Sequence, residues 1–179
     1  ISSAASDVYK RQTVIVSPLK NDRSEWFVQK ITELGATRII FTEMARTVAD
    51  WRKQQDKKIA RLQKITQAAA EQSHRLIIPE IDFLTWKTAI HLPKDKGIVA
   101  WEESAKEGEI SAFIDAVNHV PNNGHLVLVF GPEGGLTVDE IQEMTQFDFV
   151  SAGLGPRILR AETAPLYALS AISVLRELQ

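Results

Sequence analysis

The chain is predicted to be an α/β protein, with a mostly parallel sheet flanked by helices. Short apolar segments alternate along it with longer segments whose apolar residues recur at helical spacing. Two glycine-bearing loops each follow an apolar segment and precede a helix, the arrangement found where an open α/β sheet binds a ligand. Hydrophobic residues make up 44% of the 179 residues, which is enough for a packed core.

The first elements are a strand, a helix and a second strand. Thr13 to Leu19 is apolar enough for a buried strand, and Arg38 to Phe41 resembles it. Between them, Glu25 to Leu34 has apolar residues at helical spacing, and Gly35 is placed where a helix ends. Residues 1–12 show no periodicity, so we expect them to be a disordered or non-native lead before one domain that spans residues 13–179.

A long helix is predicted from Lys53 to Gln72, with Ile59, Leu62, Ile65 and Ala69 on its buried side. Four basic residues, Lys53, Lys57, Arg61 and Lys64, are spaced by four, four and three positions, which places them on one face. Such a face is often only solvated. Contact with RNA is the alternative.

Several shorter elements follow. Arg75 to Ile81 is a possible short strand, which Pro79 would confine to an edge or an end. The remaining predictions are a short helix at Thr85–His91, a strand at Gly97–Trp101, a helix at Ile110–Val117, and strands at His125–Phe130 and Phe149–Ala152.

The first glycine loop is Gly131-Pro132-Glu133-Gly134-Gly135. Thr137 and Glu140, just after it, have the spacing of a capping box at a helix start. Glycines allow the backbone to approach a ligand closely, but Glu133 would repel a phosphate. A cationic ligand with hydrogen-bonding edges, such as S-adenosylmethionine, fits the loop better. A tight turn with no ligand is the alternative.

The second glycine loop runs from Gly153 to Ala164 and opens into the last helix. Thr163 is the expected cap of that helix, and Pro165 falls in its first turn, where proline is tolerated. Beyond Pro165 the helix is apolar nearly all round, which indicates burial on two sides. It is either a core helix of a monomer or a dimer interface.

Composition excludes several kinds of protein. There is no cysteine, which rules out disulfides, cysteine-bound zinc and thiol catalysis, and the four histidines are not spaced as metal ligands. No apolar run approaches the roughly 20 residues of a membrane span, and no signal peptide is evident, so a cytoplasmic protein is expected. The net charge is −2, yet eight basic and only three acidic residues lie between Arg46 and Arg75. A local basic surface of this kind suits a polyanion.

Together the two loops, GPEGG and LGxxILRxETA, resemble those of the 16S rRNA uracil-N3 methyltransferases of the SPOUT superfamily. The resemblance extends to Lys30–Ala36 and Glu71–Arg75, and so covers nearly all of the chain after Thr13. It implies a C-terminal trefoil knot, S-adenosylmethionine as cofactor, 16S rRNA in the small ribosomal subunit as substrate, and a homodimer. The family normally carries an N-terminal domain of the PUA type, and we expect this chain to be the catalytic domain alone.

The resemblance also implies a set of site residues. Cofactor-binding residues would come from three loops: Ala100, Trp101 and Glu102; Gly131, Pro132, Glu133, Gly134 and Gly135; and Leu154, Gly155, Ile158 and Leu159. Arg160 would stabilise the uracil anion that develops when N3 loses its proton, with Arg157 the second candidate, unless these arginines only form salt bridges to Glu162 or Glu133. Glu162 would either accept the N3 proton or orient Arg160. Ala161 departs from the pattern, because many relatives have threonine there.

The target uracil must be unpaired, because N3 lies on its pairing edge. The candidate RNA contacts are Arg23, Arg46, Arg52, Lys53, Lys57, Arg61, Lys64, Arg75 and Arg157. A ribose 2′-O-methyltransferase of the same superfamily is an alternative, although those enzymes usually carry an Asn-Val-Ser-type motif in the last loop. A catalytically silent RNA-binding domain is another, which retention of both loops and of Arg160 disfavours.

Overall fold

A computed structural model describes residues 11–103 and 112–178. Its strands are β1 (Arg11–Val16), β2 (Arg38–Phe41), β3 (Glu80–Phe83), β4 (Lys96–Ala100), β5 (His125–Val129) and β6 (Phe149–Ala152). Its helices are α1 (Arg23–Glu33), α2 (Gln55–Gln72), α3 (Trp86–Ile90), α4 (Ala112–Asn118), α5 (Val138–Gln146) and α6 (Thr163–Glu177). The strands form one sheet in the order β3-β2-β1-β5-β4-β6, and every neighbouring pair is parallel. The predicted α/β class and parallel sheet are confirmed.

The sheet is buried on both faces because successive strand residues point in opposite directions. In β1, Val14 and Val16 join a core cluster beneath α1, α2, α4 and α6, whereas Ile15 joins a second cluster beneath α3 and α5. Complete burial of each such side chain contributes roughly 1.5–3 kcal/mol. The continuous apolar runs of the inner strands follow from this two-sided packing.

Four strands differ from their predicted bounds: β4 is shifted by one residue, β5 is one residue shorter, and β1 and β3 differ more, β1 ending at Val16 rather than Leu19. β1 begins at Arg11, two residues earlier than expected, because Gln12 exchanges hydrogen bonds with Thr37; residues 1–10 lie outside the described residues. The strand expected at Arg75–Ile81 is wrong in position, since β3 spans Glu80–Phe83. Pro79 lacks an N–H for the sheet, so pairing starts only after it.

The helix ends follow their capping chemistry. After α1, Gly35 has φ +103°, and Ala36 N donates to Ile31 O while Gly35 N donates to Thr32 O, which is a Schellman motif. α2 begins at Gln55 rather than Lys53, because the chain is still turning at residues 52–54. The prediction that Thr163 caps the last helix is wrong. Thr163 is its first residue, and Glu162 precedes it without a side-chain cap.

The helix expected at Ile110–Val117 is α4, whose first two predicted residues fall outside the described residues. Across the part of the chain that the structure describes, no helix is both long and apolar enough to cross a membrane. All six strands point the same way, so the segments that follow them gather at one edge of the sheet.

Candidate active site

A cleft of about 570 Å³ opens at the carboxyl ends of the strands. Clefts of roughly 300–1,000 Å³ are usual for small-molecule sites. This one is lined by residues that follow β1, β2, β4, β5 and β6. All the residues predicted to bind the cofactor lie along it, and so do Arg160 and Glu162: the lining includes Ala100, Trp101, Glu102, Gly131, Pro132, Glu133, Gly134, Gly135, Leu154, Gly155, Ile158 and Leu159.

The first loop, residues 131–135, owes its shape to its glycines. Gly135 has φ +82° and its N–H donates to Pro132 O at 2.8 Å, which closes a tight turn. At Gly131, an added Cβ would lie 2.8 Å from Leu136 Cγ and 3.0 Å from Leu136 N. A side chain at position 131 would therefore collide with the start of the next segment.

The helix after the first loop starts with the predicted capping box. Thr137 Oγ1 accepts from Glu140 N at 3.1 Å, and Glu140 Oε1 accepts from Thr137 N at 2.9 Å. The other carboxylate oxygen of Glu140 accepts from Ala45 N at 3.0 Å. One buried glutamate thus caps α5 and ties it to the segment after β2.

Two arginines from the N-terminal half hold the first loop in place. Arg46 Nη1 donates to Gly134 O at 3.0 Å. Arg23 Nη2 forms a short ion pair with Glu133. The carbonyl of Gly134 and the carboxylate of Glu133 are therefore both engaged by arginines.

The second loop, residues 153–162, is more open. Gly155 has φ +90°, and a Cβ there would lie 3.4 Å from Tyr167 Oη on α6. Arg160 O accepts from Thr163 N and Ala164 N, which fixes the entry into α6. Three residues that line the open side of the cleft are exposed there: Arg157, Arg160 and Ile158, which is 82% exposed. Within residues 11–103 and 112–178, neither arginine side chain makes an ion pair or hydrogen bond.

Glu162 is the buried acid of the cleft. Its side chain is only 12% exposed, and its Oε2 lies 3.8 Å from Arg23 Nη1. That oxygen is fully buried and has no hydrogen-bond partner among the described residues. The salt bridges considered for Arg160 and Arg157 are not formed there, since Arg23 is the cation beside both Glu133 and Glu162.

The predicted RNA contacts do not all lie in one place. Arg23, Arg46 and Arg157 line the cleft itself. Lys53 lines a neighbouring groove of about 490 Å³, together with Lys20 and Lys58. Lys57 and Lys64 are exposed on α2.

Three other candidates are engaged within the protein. The guanidinium of Arg52 donates two hydrogen bonds to the carboxylate of Asp50, at 2.9 and 3.0 Å. These hydrogen bonds lower the pKa of the Asp50 carboxyl to about 2. Arg61 Nε pairs with Glu25 Oε1 at 2.5 Å. Arg75 Nη1 donates to Thr32 O at 2.9 Å and to Ala36 O at 2.6 Å, at the carboxyl end of α1. These contacts give Arg75 a role in stabilising a helix end.

The sequence did not identify every lining residue. Glu103, Phe130, Leu136, Ala161 and Ala164 also face the cleft, and each lies directly beside a predicted residue or segment. The described residues contain no group of three or more histidine, aspartate or glutamate side chains placed to hold a metal ion.

Comparison with known proteins agrees with this geometry. The family model of the RNA methyltransferase domain matches residues 8–173. The chain is 50% identical over 163 residues to "Ribosomal RNA small subunit methyltransferase E" of Bacillus subtilis, a match that covers 89% of this chain and 64% of the relative. The chain thus spans just under two thirds of that protein's length.

Solved structures place the same fold beside a bound cofactor. A ribosomal RNA small subunit methyltransferase E from Neisseria gonorrhoeae, bound to S-adenosyl methionine, superposes with a TM-score of 0.76 at 32% identity, over 92% of this chain and 66% of that one. A TrmH/SpoU tRNA modifying enzyme from A. aeolicus shares the fold, with a TM-score of 0.56 at 16% identity over 98% of this chain and 81% of that one. The cofactor expected from the sequence is the one bound in the Neisseria relative. On these grounds, the chain belongs to the RNA methyltransferase domain family.

Proposed function

We propose that the protein transfers a methyl group from S-adenosylmethionine to N3 of an unpaired uracil in the 16S rRNA of the small ribosomal subunit. The observation that carries the proposal is the convergence of three loops on one cleft, with Arg160 and Glu162 on its wall. Membership of the RNA methyltransferase domain family and the similarity to ribosomal RNA small subunit methyltransferases support it.

The residues of the cleft fit S-adenosylmethionine. Gly131 packs closely against Leu136, so its lack of a side chain lets the first loop turn tightly and present its backbone along the cleft. Leu154, Ile158 and Leu159 supply an apolar wall for an adenine ring. Glu133 and Glu162 supply negative charge suited to a sulfonium and an ammonium group. When bound, the cofactor provides an electrophilic methyl on sulfur.

Uracil N3 becomes nucleophilic only when its imide proton leaves. Glu162 lines the cleft, so its carboxylate is placed to take a hydrogen bond from that N–H, or the proton itself. The negative charge then spreads onto the carbonyl oxygens of uracil, where the exposed guanidinium of Arg160 would stabilise it. N3 gains the methyl group as the carbon–sulfur bond breaks, and the proton stays with the acceptor.

RNA would approach over the basic residues beside the cleft. Arg157 and Arg160 lie at its open side, Lys53 lies in the neighbouring groove, and Lys57 and Lys64 are exposed on α2. Lysine and arginine neutralise phosphates without reading sequence, so these residues would bind the strand on either side of the target base.

We further propose a homodimer formed through α6. This helix buries Ala168, Leu169 and Ile172 in the core that it shares with α1 and α4, yet Tyr167 and Val174 on it and Leu178 just after it are exposed. An exposed apolar face on a helix that is also packed from behind suits a second copy. Light scattering is expected to give about twice the 20.0 kDa of one chain, and a monomer at micromolar concentration would rule out this interface.

Two finer features accompany the proposal. The C-terminal part of the domain is expected to be a trefoil knot, which the insertion of β5 between β1 and β4 makes possible. An experimental structure in which the C-terminal segment does not pass through a loop of the chain would contradict the knot. The enzyme is expected to act in the cytoplasm, where ribosomal subunits mature, and cell fractionation tests this.

The test of the activity combines binding and product analysis. Calorimetry with the purified chain is expected to show S-adenosylmethionine binding. Incubation with unmodified small subunits, followed by mass spectrometry of the RNA nucleosides, is expected to give a uridine whose extra methyl stays with the base after loss of ribose.

Three results would count against the proposal. Heats of injection equal to those of dilution into buffer would show that the chain does not bind S-adenosylmethionine. A methyl that leaves with the sugar would indicate a ribose 2′-O-methyltransferase. Binding of cofactor without any product on subunits would indicate a domain that binds but does not catalyse.

A further inference from the structure

We propose that Arg23 is a positioning residue, whose one guanidinium ties together the carboxylates of the two loops that face each other across the cleft. Glu133 belongs to the first loop and Glu162 to the second, and Arg23 lies between them. This inference rests on the proposed function, since it assigns Arg23 to the building of that site rather than to RNA.

The contacts of Arg23 show how the tie is made. Nη2 forms a short ion pair with Glu133, and Nη1 lies 3.8 Å from Glu162 Oε2. Its Nε also faces Lys20 O at 3.5 Å, at the turn before α1. The side chain is 33% exposed, so it is partly withdrawn from the solvent that an RNA phosphate would come from.

Position 23 suits this task because it begins α1. The core residues Phe27, Val28 and Ile31 hold the helix rigidly against the sheet. The guanidinium is therefore presented from a fixed element, whereas both acids sit on loops. A planar fork with several donors can serve two carboxylates at once, which a lysine ammonium does less well.

The consequence concerns Glu162. Arg23 offsets the cost of keeping this carboxylate charged in a nearly buried place, yet at 3.8 Å it does not hydrogen-bond to Oε2. The carboxylate, which lines the cleft, therefore keeps acceptor capacity for an N–H from the ligand. Arg23 would thus orient the acceptor and leave it available to the ligand.

A contact with RNA phosphate is the competing role for Arg23, and the two roles predict different kinetics. A phosphate contact affects the KM for RNA, is tolerant of lysine, and leaves the affinity for S-adenosylmethionine unchanged. A tie between the loops affects cofactor affinity and kcat, and requires the guanidinium fork.

The experiment compares Arg23→Gln and Arg23→Lys with wild type. Arg23→Gln is expected to weaken S-adenosylmethionine binding about tenfold and to lower kcat by about 10- to 100-fold, because the acid and the loop lose their alignment, with the KM for RNA within about twofold. Arg23→Lys is expected to recover only a small part of either loss. A raised KM for RNA with normal cofactor affinity, or full recovery by lysine, would overturn the proposal.

Arg38→Gln is the matched control. Arg38 pairs with Asp82 through Nε and Oδ2 at 2.8 Å, at 32% and 37% exposure, but it lies at the amino ends of the strands. Its replacement removes an ion pair of similar exposure at the far side of the sheet, so cofactor affinity and kcat are expected to stay at the wild-type level. Equal losses in both arginine variants would mean a general effect on the fold, and would overturn the proposal.

A cofactor-free measurement separates this inference from the proposed function. The changes in Tm of Arg23→Gln, Glu162→Gln and the double variant are compared. Arg23→Gln is expected to lower Tm clearly in wild type but little in Glu162→Gln, because no buried charge is then left unpaired. If the change in Tm of the double variant equals the sum of the changes in the two single variants, Arg23 and Glu162 do not interact, and the proposed role of Arg23 is wrong even if the enzyme methylates RNA. If the two changes in Tm are strongly non-additive but the chain binds no S-adenosylmethionine, the interaction between Arg23 and Glu162 is supported and the proposed function is wrong.

Discussion

The two loops that face each other across the cleft are held in opposite ways. In the first, the carbonyl of Gly134 and the carboxylate of Glu133 are both engaged by arginines from the N-terminal half. In the second, Arg157, Ile158 and Arg160 are exposed, and within the described residues neither arginine has a side-chain partner. A loop held by two arginines suits a cofactor that always binds in the same way. A loop with free cations suits a substrate that has to be captured and released.

The largest expected effect comes from the open loop. Arg160→Ala removes the cation proposed to stabilise the uracil anion, and methylation is expected to fall by about 100- to 1,000-fold. Because the side chain has no partner among the described residues, the fold and the binding of S-adenosylmethionine should be unaffected. Single-turnover methylation and calorimetry measure the two quantities. If the variant methylates RNA at a rate within a few-fold of wild type, Arg160 does not stabilise the uracil anion, and the second loop would not differ from the first in the way proposed here.

The next effect tests the fixed loop. Gly131→Ala would place a Cβ 2.8 Å from Leu136 Cγ and 3.0 Å from its backbone N. Relief of that overlap requires the backbone to move, which is expected to cost about 1–3 kcal/mol in the free energy of unfolding and to weaken cofactor binding.

Gly134→Ala is the matched comparison for Gly131→Ala. Its Cβ would meet only the side chain of Arg46, at 3.3 Å and beyond, and the backbone O of the same residue at 3.8 Å. Chemical denaturation and calorimetry should show a smaller loss than at Gly131. Equal tolerance of alanine at both positions would mean that the loop is not tightly held.

The smallest effect is expected on α2. Replacing Lys57 and Lys64 together by alanine is expected to weaken RNA binding a few-fold and to reduce the salt dependence of that binding by about two counterions. Both side chains are exposed, so kcat at saturating RNA should not change. Lys87→Ala on α3 is the control. An unaltered salt dependence would show that the basic face of α2 is only solvated.

The strands and the two glycine loops could be predicted because they depend on local patterns. β2 and β6 have the predicted bounds, and the capping box of Thr137 and Glu140 forms as expected. The glycine loops meet because they follow parallel strands, which fixes their position whatever their side chains do. Topology therefore located the cleft without knowledge of any contact.

The partners of the arginines could not be predicted, because they depend on long-range packing. Arg23 reaches an acid 110 positions away along the chain, and Arg75 reaches carbonyls 43 and 39 positions away. The number of basic residues in a segment cannot distinguish an arginine that pairs with acids of two loops from one that is available to contact RNA. Local capping was also missed at Thr163, because the approach to α6 is already helical at Glu162.

The pairing of residues 11–15 of β1 with residues 125–129 of β5 joins the two halves of the molecule at the centre of the sheet. Parallel pairs so distant in sequence form slowly, because a long stretch of chain must be ordered before they gain any contact. The cleft draws on both halves, so it comes into existence only when this central pair has closed. Ligand binding would then report the completion of folding, and by mass action it would protect the whole domain from unfolding rather than its loops alone.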